Sequence, residues 1–275
     1  MTDIFNGKLC VITGAGSGIG RAMAIDLARR GAALALSDIN EAGLEETKQL
    51  IGAAPSNRTR FDKLDVADAD AITAYAATVK ESLGDADYVF NVAGLTRVGL
   101  FEETSLDSFE KVMDVNFWGV VRMTKAFLPQ LMATKGGVIN ISSLFGLIGF
   151  SGQTHYCASK FAVRGFSETL SQELRDKGVC VTSVHPGGVA TNIARLAEVD
   201  REVTADERED FNTQFDKAAI TSAERAAEII LNGAAKGKRR VLIGRDAKVV
   251  SFIQRMFPAS YWGKLSMLLP QNLLK

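Results

Sequence analysis

Short apolar runs alternate with longer segments of helical periodicity along most of the chain, and this alternation limits the fold more than any other feature. The runs that predict strands cover residues 8–13, 32–37, 58–64, 88–92, 137–141, 179–185 and 239–243. The segments that predict helices cover residues 21–30, 41–52, 67–83, 106–132, 156–177 and 222–235. Strands and helices in this order indicate an α/β fold, with a parallel sheet that helices cover on both faces.

The overall composition excludes several classes of protein. Apolar residues make up 47% of the 275 residues and no linker-like stretch divides them, which favours a single domain over residues 1–275. Lys plus Arg and Asp plus Glu each number 32, so no basic surface for nucleic acid is expected. The sequence shows neither a signal-peptide pattern nor an apolar run of membrane-spanning length. Its cysteines, Cys10, Cys157 and Cys180, lack metal-ligand spacing, and we expect a reduced, cytoplasmic location.

A glycine-rich turn, G-A-G-S-G-I-G at residues 14–20, joins the first predicted strand to the first predicted helix. In such a strand–turn–helix unit, backbone N–H groups and the helix N-terminus attract the pyrophosphate of a dinucleotide. The glycines at positions 14, 18 and 20 do not follow the G-x-G-x-x-G spacing, and a plain turn is the alternative. The residues of this turn that we expect to bind a cofactor are Gly14, Ser17, Gly18, Ile19 and Gly20.

Two carboxylates follow predicted strands near this turn. Asp38 ends the second strand, where it can accept hydrogen bonds from an adenosine ribose and would repel a 2′-phosphate. Neither Ser17 nor Ile39 is a base that would offset this charge, and we expect Arg21 to be solvated. Asp38 therefore favours NAD over NADP. Asp65 follows the third strand and is placed to contact the adenine amino group, with a helix N-cap as the alternative.

Residues 141–163 run from a predicted strand through a glycine-containing loop into a predicted helix. Tyr156 and Lys160 are four positions apart there, so they share one helix face. The ammonium of Lys160 should lower the pKa of the phenol below its ordinary value of about 10. Such a tyrosine exchanges a proton with an alcohol or ketone near neutral pH, and Ser143 could hold the substrate oxygen. A surface contact between an ammonium and a phenol is the alternative interpretation.

Four further positions, besides Gly94, are candidates for a functional or a structural role: Asn91, Asn116, His155 and His185. Asn91 and Gly94 are at the carboxyl end of the fourth strand, where open α/β sheets bind their ligands. Asn116 interrupts an apolar stretch, and a buried asparagine must find hydrogen-bond partners. His155 and His185 have no partner at a fixed spacing, so we interpret both as structural.

Several of these segments together resemble the short-chain dehydrogenase/reductase family. They are T-G-A-G-S-G-I-G (13–20), Asp38, Asp65-Val66, N-V-A-G (91–94), Asn116, Ser143, Y-C-A-S-K (156–160) and P-G-G-V-A-T (186–191). They span most of the chain and are specific as a set. Val92 departs from the family pattern, which often has a second asparagine there.

The resemblance implies a doubly wound Rossmann-type sheet of about seven strands, a nicotinamide cofactor and a catalytic tetrad. The tetrad would consist of Asn116, Ser143, Tyr156 and Lys160. Tyr156 would be the acid/base, Ser143 would orient the carbonyl or hydroxyl, and Lys160 would lower the tyrosine pKa and bind the nicotinamide ribose. Asn116 would hold a water that links Lys160 to solvent. The further cofactor contacts that it implies are Asp65, Val66, Asn91, Ala93, Gly94, Pro186, Gly187, Val189 and Thr191.

The predicted pocket and surfaces are mostly apolar. The candidate pocket walls are Leu95, Leu144, Phe145, Phe150, Ile193 and Leu196, which favour a hydrophobic alcohol or ketone such as a steroid, retinoid or fatty-acyl derivative. The charged, irregular residues 190–220 are expected to form a lid over this substrate. The predicted helices at residues 106–132 and 156–177 carry more apolar residues than packing one face on the sheet requires. The additional residues include Phe117, Trp118, Val121, Phe161, Phe166 and Leu170. As in relatives, we expect a homodimer or homotetramer.

The C-terminal extension, residues 246–275, combines two apolar clusters with basic residues. The clusters are Val249, Val250, Phe252, Ile253, Met256 and Phe257, then Tyr261, Trp262, Leu265, Leu268 and Leu269; the basic residues are Arg255, Lys264 and Lys275. We expect this stripe to pack on the domain itself or on another subunit, with a substrate lid and a membrane-surface helix as alternatives.

Two other functions fit the same fold. An NADPH-dependent ketone reductase would need a base to offset Asp38, and a non-catalytic dinucleotide-binding protein would not need the full tetrad.

Overall fold

The computed structural model describes residues 3–52, 58–191, 193, 197–200, 209, 213, 217 and 219–267. Its strands are β1 (Leu9–Thr13), β2 (Ala33–Asp38), β3 (Thr59–Lys63), β4 (Tyr88–Asn91), β5 (Arg97–Val98), β6 (Gly137–Ile141), β7 (Cys180–Pro186), β8 (Val189–Ala190), β9 (Glu198–Val199), β10 (Thr221–Ser222) and β11 (Arg240–Ile243). Its helices are α1 (Gly18–Arg29), α2 (Glu41–Ile51), α3 (Ala69–Leu83), α4 (Leu106–Met113), α5 (Gly119–Thr134), α6 (Thr154–Glu173), α7 (Ala223–Ala235), α8 (Arg245–Met256) and α9 (Tyr261–Ser266).

Seven strands form the central sheet, in the order β11-β7-β6-β4-β1-β2-β3, and every neighbouring pair is parallel. Two short parallel pairs, β10 with β8 and β5 with β9, lie outside it. The predicted α/β class is confirmed, and the sheet has the strand number that the family resemblance implied. The observed strand ends differ from the predicted ones by a residue or two, as is usual for such boundaries.

The two faces of the sheet carry separate apolar cores because successive strand residues point to opposite sides. In β1, Cys10 and Ile12 join the core under α1, α2 and α7, whereas Leu9 and Val11 join the core under α3, α5 and α6. All five residues of β1 are buried, which is why the strand is a continuous apolar run.

The predicted long helix at residues 106–132 is interrupted, which corrects the sequence interpretation. A π-helical turn at Asp114–Trp118 separates α4 from α5, and α5 continues to Thr134. The wider turn contains Asn116, whose amide is fully buried and hydrogen-bonded to Leu95 and Ser159. Such π turns occur frequently at functional sites, so the interruption makes this segment a candidate part of the functional site.

The strand order reverses at β1, because β2 and β3 lie on one side of it and β4, β6 and β7 on the other. Thr13, the last residue of β1, is paired with Asn91, the last residue of β4. A crevice opens beyond the carboxyl ends of the strands at such a reversal, and ligands of open α/β sheets bind there. The glycine turn after β1 and the segment after β4 both enter this crevice.

Candidate active site

The glycine turn leaves no space for side chains at its key positions. A Cβ on Gly14, which has φ of 69°, would lie 2.8 Å from the backbone nitrogen of Ala93. A Cβ on Gly20 would lie 2.0 Å from the carbonyl oxygen of Gly14. Gly18, with φ of 50°, faces Thr191, whose Cγ2 would be 3.1 Å from an added Cβ. Close packing of backbone on backbone therefore fixes the turn between β1 and α1.

The first turn of α1 fits a phosphate group. Ser17 precedes α1 and its side chain makes no capping hydrogen bond, whereas Asn40, Asp68 and Ser105 cap the next three helices. The N–H groups at the start of a helix carry partial positive charge and need acceptors. Ile19, the second residue of α1, packs against the core and holds the turn in place.

The carboxylate of Asp38 lies at the carboxyl end of β2 and is held by backbone donors. Its Oδ2 accepts a hydrogen bond from Gly16 N at 2.8 Å, and its Oδ1 accepts one from Asn40 N at 2.9 Å. Asp38 is half-buried, and the neighbouring Ile39 side chain is exposed. A carboxylate therefore borders the crevice where the predicted ribose would lie.

Arg21 is not solvated, contrary to the prediction. Its guanidinium donates to Thr47 Oγ1 at 3.0 Å, to Glu46 Oε2 at 2.7 Å and to the carbonyl oxygen of Gly16. These bonds connect the glycine turn to α2. The error arose because α1 begins at Gly18 rather than at residue 21, so Arg21 lies in the first turn and faces α2.

Asp65 and Val66 follow β3. Asp65 is exposed and its Oδ1 accepts a hydrogen bond from Ala67 N at 2.9 Å, while Asp68 caps α3. The alternative that Asp65 is the N-cap is therefore wrong. Val66 is buried against α5, where a Cβ on Gly119 would lie 2.9 Å from its Cγ2.

The side chain of Asn91 belongs to a buried polar network behind the crevice. Its Nδ2 donates to Asn140 Oδ1 at 2.8 Å and to Thr124 Oγ1 at 3.2 Å. The backbone that follows β4 is held differently, since Thr13 Oγ1 accepts hydrogen bonds from the backbone nitrogens of residues 92 and 93, each at 3.1 Å. Ala93 therefore borders the glycine turn through its backbone, and the Asn91 amide ties β4 to β6 and α5.

Gly94, Asn116 and Lys160 meet at one point. A Cβ on Gly94 would lie 3.1 Å from Asn116 Oδ1 and 3.4 Å from Lys160 Nζ, so a larger residue there would crowd both side chains. The Lys160 side chain is only 3% exposed and its Nζ donates to Ile141 O at 3.1 Å. Lys160 Nζ is also 5.5 Å from the ring centroid of Tyr156.

The amide of Asn116 braces α6 against the loop after β4. Its Oδ1 accepts from Leu95 N at 2.9 Å, and its Nδ2 donates to Leu95 O at 2.9 Å and to Ser159 Oγ at 3.1 Å. Ser159 Oγ in turn donates to the carbonyl oxygen of Tyr156 at 2.7 Å. Asn116 thereby fixes the part of α6 that carries Tyr156 and Lys160.

Ser143 follows β6, and its Oγ accepts a hydrogen bond from Phe145 N at 3.1 Å. The prediction that the pKa of Tyr156 falls is wrong for this geometry. Burial raises the pKa of Tyr156 to about 12, and a hydrogen bond with the Ser143 hydroxyl acts in the opposite direction. Burial also lowers the pKa of Lys160 to about 8. Burial away from water is thus the largest influence on the pKa values of both Tyr156 and Lys160.

The P-G-G-V-A-T segment lies at the carboxyl end of β7. Pro186 ends β7, Gly187 N donates to the carbonyl oxygen of Ile243 at 2.9 Å, and Val189 is buried in β8. Gly188 N donates to Asp246 Oδ2 at 2.7 Å, which connects this segment to α8. Thr191 packs against Gly18, so this segment reaches the glycine turn, as Ala93 does at Gly14.

A second buried polar cluster adjoins Tyr156 and was not predicted from the sequence. Asp200 accepts hydrogen bonds from Arg97 Nε at 2.8 Å, Thr104 Oγ1 at 3.0 Å and His155 Nε2 at 3.1 Å. The backbone nitrogen of Tyr156 donates to His155 Nδ1 at 2.9 Å, so the neutral imidazole carries its proton on Nε2.

Charge and burial act against each other in this cluster. Burial opposes ionisation of Asp200, but hydrogen bonds from Arg97, Thr104 and Ser108 and the charge of Arg97 lower its pKa overall. Burial lowers the pKa of His155, and Asp200 opposes that change. Arg97 and Asp200 are 103 positions apart in the chain, so no local pattern could have found the pair.

Aromatic rings lead outward from Tyr156 to the C-terminal extension. The Phe145 ring is nearly perpendicular to that of Tyr156, with centroids 6.3 Å apart, and stacks on Phe150 at 4.9 Å. Trp262 of α9 packs edge-on against Phe150 at 5.8 Å. Of the other predicted pocket walls, Leu95 follows β4, Leu144 follows Ser143 and Ile193 is half-buried, while Leu196 lies outside the described residues.

The inner side of the extension packs on the segment after Ser143. Ile148, Val250 and Leu265 form a small buried cluster, and Gly149 N donates to the Tyr261 hydroxyl at 3.1 Å. The inner side of the C-terminal extension therefore packs on the domain itself, as predicted. The outward side chains of α8 are exposed, and residues 268–275 lie outside the described part of the chain.

The sheet reversal and the glycine turn form the type of crevice in which α/β proteins bind dinucleotides. Sequence comparison then identifies the family. The profile of the short chain dehydrogenase family matches residues 8–202. The chain therefore belongs to the short-chain dehydrogenase family, and it is an oxidoreductase that acts on CH–OH groups with a nicotinamide cofactor.

Individual relatives support this assignment. The Mycobacterium tuberculosis protein SadH, named as an oxidoreductase, is 46% identical over 261 residues, which cover 94% of this chain and 93% of SadH. Epidermal retinol dehydrogenase 2 of Mus musculus is 39% identical over 191 residues, 68% of this chain and 62% of that protein. A short chain dehydrogenase/reductase from Burkholderia phymatum, solved in complex with NAD, superposes with a TM-score of 0.84 at 28% identity, covering 93% of this chain and 95% of that one.

Proposed function

We propose that this protein transfers a hydride between NAD and a hydrophobic secondary alcohol or ketone, with Tyr156 as the acid/base. One observation carries the proposal. Asn116, Ser143, Tyr156 and Lys160 meet at the carboxyl edge of the sheet, beside the glycine turn and under an aromatic wall. Hydride transfer needs this combination of an oriented substrate, a proton carrier at its oxygen and little water.

Each residue of the tetrad has a distinct task in this proposal. A bound nicotinamide supplies the hydride acceptor or donor. Because the pKa of Tyr156 is raised to about 12, the phenol is protonated near neutral pH and is ready to donate to a ketone oxygen. When an alcohol is oxidised, the phenolate of Tyr156 accepts its proton. The ammonium of Lys160 lies 5.5 Å from the ring centroid of Tyr156 and stabilises that phenolate. Ser143 holds the same substrate oxygen. Asn116 fixes the position of the part of α6 that carries Tyr156 and Lys160.

The cofactor contacts that we propose come from the glycine turn, the ends of β2, β4 and β7, the residues after β3, and α6. They are Gly14, Ser17, Gly18, Ile19, Gly20, Asp38, Asp65, Val66, Asn91, Ala93, Gly94, Tyr156, Lys160, Pro186, Gly187, Val189 and Thr191. The geometry favours a backbone contact at Ala93, while the Asn91 amide is engaged in the core.

The substrate class follows from the surroundings of Tyr156. Phe145, Phe150 and Trp262 provide aromatic surface, and Leu144 lies beside them. The mouse relative is named for retinol, a hydrophobic primary alcohol, which supports the hydrophobic character of the substrate proposed here. We also propose that residues 190–220, most of which lie outside the described part of the chain, act as the substrate lid within one catalytic domain. We further propose that the three free cysteines reflect a reduced, cytoplasmic location. In the described part of the chain, no helix is long and apolar enough to cross a membrane.

A substrate panel tests the proposal. Steroid, retinoid, fatty-acyl and sugar alcohols and ketones are assayed with NAD(H) and with NADP(H). We expect turnover of the hydrophobic secondary alcohols or ketones, with NAD(H) preferred. A strong preference for NADPH would favour the reductase alternative. Cofactor binding without turnover of any compound would favour a non-catalytic dinucleotide-binding protein.

Cofactor preference can be predicted from Asp38. Its carboxylate should bond a free ribose diol and repel a phosphate, so NAD(H) should bind at least about tenfold more tightly than NADP(H), about 1.4 kcal/mol. The double variant Asp38→Ala/Ile39→Arg should erode or invert the preference, because Ile39 is exposed beside Asp38. Fluorescence titration of both cofactors measures this. Equal affinity in the unmodified protein would contradict it.

Assembly is predicted from an exposed apolar face on the π turn, α5 and α6. Trp118 and Phe161 are exposed, and Phe117, Val121 and Phe166 are half-buried, whereas Leu170 is buried in the protein's own core. We expect this face to pair with its copy across a two-fold axis, giving a dimer or tetramer. Light scattering at micromolar concentration should show it, and Trp118→Glu should shift the mass downward. A monomeric wild-type protein would refute the prediction.

A further inference from the structure

The outward face of α8 is apolar and exposed. Ala247 and Val250 are buried, but Phe252 is 64% exposed and Met256 is 56% exposed, and Val249 and Phe257 are exposed beside them. Residues 249, 252 and 256 follow helical spacing, so their side chains form one continuous patch. Nothing in the described part of the chain covers this patch, which we call the α8 patch.

The α8 patch has a basic margin. Lys248 and Arg255 lie on α8 along one side of it, and Lys264 lies on α9 with its Nζ 4.4 Å from the ring centroid of Phe257. Residues 247–267 contain no Asp or Glu, although the whole chain has a formal net charge of +0. Neither Lys248 nor Arg255 forms an ion pair with an acidic residue in the described ranges. The segment that carries the patch therefore has only positive side-chain charges, whereas the charges of the whole chain balance.

An apolar helix face with lysine and arginine at its margin is typical of a segment that lies in the headgroup region of an anionic membrane. A second copy of this chain is a poorer match. Two such faces related by a two-fold axis would bring like charges together, with no acidic residue between residues 247 and 267 to offset them.

We propose that the α8 patch docks on the surface of an anionic lipid bilayer. The position of the patch adds a functional consequence, which rests on the proposed hydrophobic substrate. Trp262 lies on α9, whose Lys264 contacts Phe257 beside the patch. Trp262 packs on Phe150, and Phe150 stacks on the Phe145 that contacts Tyr156. Docking would therefore place the aromatic approach to the active site at the bilayer surface, where an apolar alcohol or ketone is concentrated.

Vesicle co-sedimentation of the full chain tests this proposal without any need for turnover. Vesicles of phosphatidylcholine with phosphatidylglycerol are compared with vesicles of phosphatidylcholine alone. We expect the protein to bind the anionic vesicles at least about tenfold more tightly, and added salt should weaken that binding. The variant Phe252→Glu/Met256→Glu should lose at least about tenfold in vesicle affinity, because it places carboxylates in the apolar centre of the patch.

Two further variants make the test specific. Lys248→Glu/Arg255→Glu should remove the preference for anionic vesicles, whereas Leu50→Glu, an equally exposed apolar residue on α2, should bind as the wild type does. Unfolding midpoints confirm that each variant is folded. The proposal is overturned if the wild type does not sediment with anionic vesicles, or if Phe252→Glu/Met256→Glu sediments as the wild type does. A change of oligomer mass in that variant, without vesicle binding by the wild type, would also overturn it. Failure here leaves the substrate panel unaffected, so the two proposals fail separately.

Discussion

Two buried polar clusters flank Tyr156, and they differ in how their charges are compensated. On one side, Lys160 is almost fully buried, and its ammonium has the carbonyl oxygen of Ile141 as a partner but no carboxylate among the described residues. On the other side, the Asp200 carboxylate, 1% exposed, accepts hydrogen bonds from Arg97, His155 and Thr104. One cluster leaves a charge unpaired, and the other pairs it.

The difference indicates a division of labour. An unpaired buried cation costs stability, so it persists where chemistry requires it. In a hydrogen-bonded charge pair each charge compensates the other, and removing one partner is strongly destabilising because it leaves the remaining charge buried without that compensation. We infer that the Lys160 cluster serves proton transfer, while the Asp200 cluster holds residues 197–200 against β5 and the start of α6.

The largest expected effect on stability is at Asp200. Asp200→Ala should lower the free energy of unfolding by about 3–5 kcal/mol, because Arg97 Nε, Thr104 Oγ1 and His155 Nε2 would all lose their acceptor. Arg97 would keep only its contact with the more exposed Glu198. Glu168→Ala, which removes the partly exposed Arg164–Glu168 pair, is the matched control and should change stability by less than about 1 kcal/mol. Urea unfolding at a fixed protein concentration measures both. If both variants lower the free energy of unfolding by similarly small amounts, the Asp200 cluster stabilises the fold no more than an exposed ion pair does. The proposed difference between the two clusters would then be wrong.

A smaller effect of opposite sign is expected at Lys160. Lys160→Met keeps the length of the side chain but removes the buried charge, and should raise the free energy of unfolding at pH 7 by about 1–3 kcal/mol while turnover is lost. The pKa of Lys160 is about 8 in the folded protein, against 10.5 ordinarily. The cost of its charge is thus fully present below pH 8 and disappears as the pH rises towards 10.5.

Urea unfolding of wild type and Lys160→Met at pH 7 and near pH 10 checks this sign. The advantage of the variant should shrink at the higher pH. A variant that is less stable than the wild type at pH 7 would show that Lys160 stabilises the fold, and the division of labour would be wrong.

The sequence predicted one cluster and not the other for a physical reason. Tyr156 and Lys160 are one helical turn apart and Ser143 follows a strand, so local spacing brings them to the same edge. Arg97 and Asp200 meet only through β5 and β9, a pair of short strands that no periodicity reveals. Likewise, the π turn around Asn116 had a signal, a polar residue in an apolar run, but its geometry depends on tertiary contacts with Leu95 and Ser159.

Electrostatic properties were the least predictable from the sequence. The spacing of Tyr156 and Lys160 correctly placed the ammonium near the phenol but gave no information on burial, which dominates both pKa values. The contacts of Arg21 depended on where α1 begins, and that boundary was placed three residues late.

The central claim is that Tyr156 carries the proton, and the Tyr156→Phe variant tests it most directly. The substitution keeps the ring and its contact with Phe145 but removes the hydroxyl. Turnover on the best compound of the substrate panel should fall by roughly 100- to 10,000-fold, as expected for the loss of a general acid/base. Cofactor affinity, measured by titration of the same preparation, should fall far less than turnover, because the ring is retained and the other proposed cofactor contacts are unaltered. If the variant keeps more than about a tenth of wild-type turnover, a loss too small for removal of an acid/base, Tyr156 does not carry the proton.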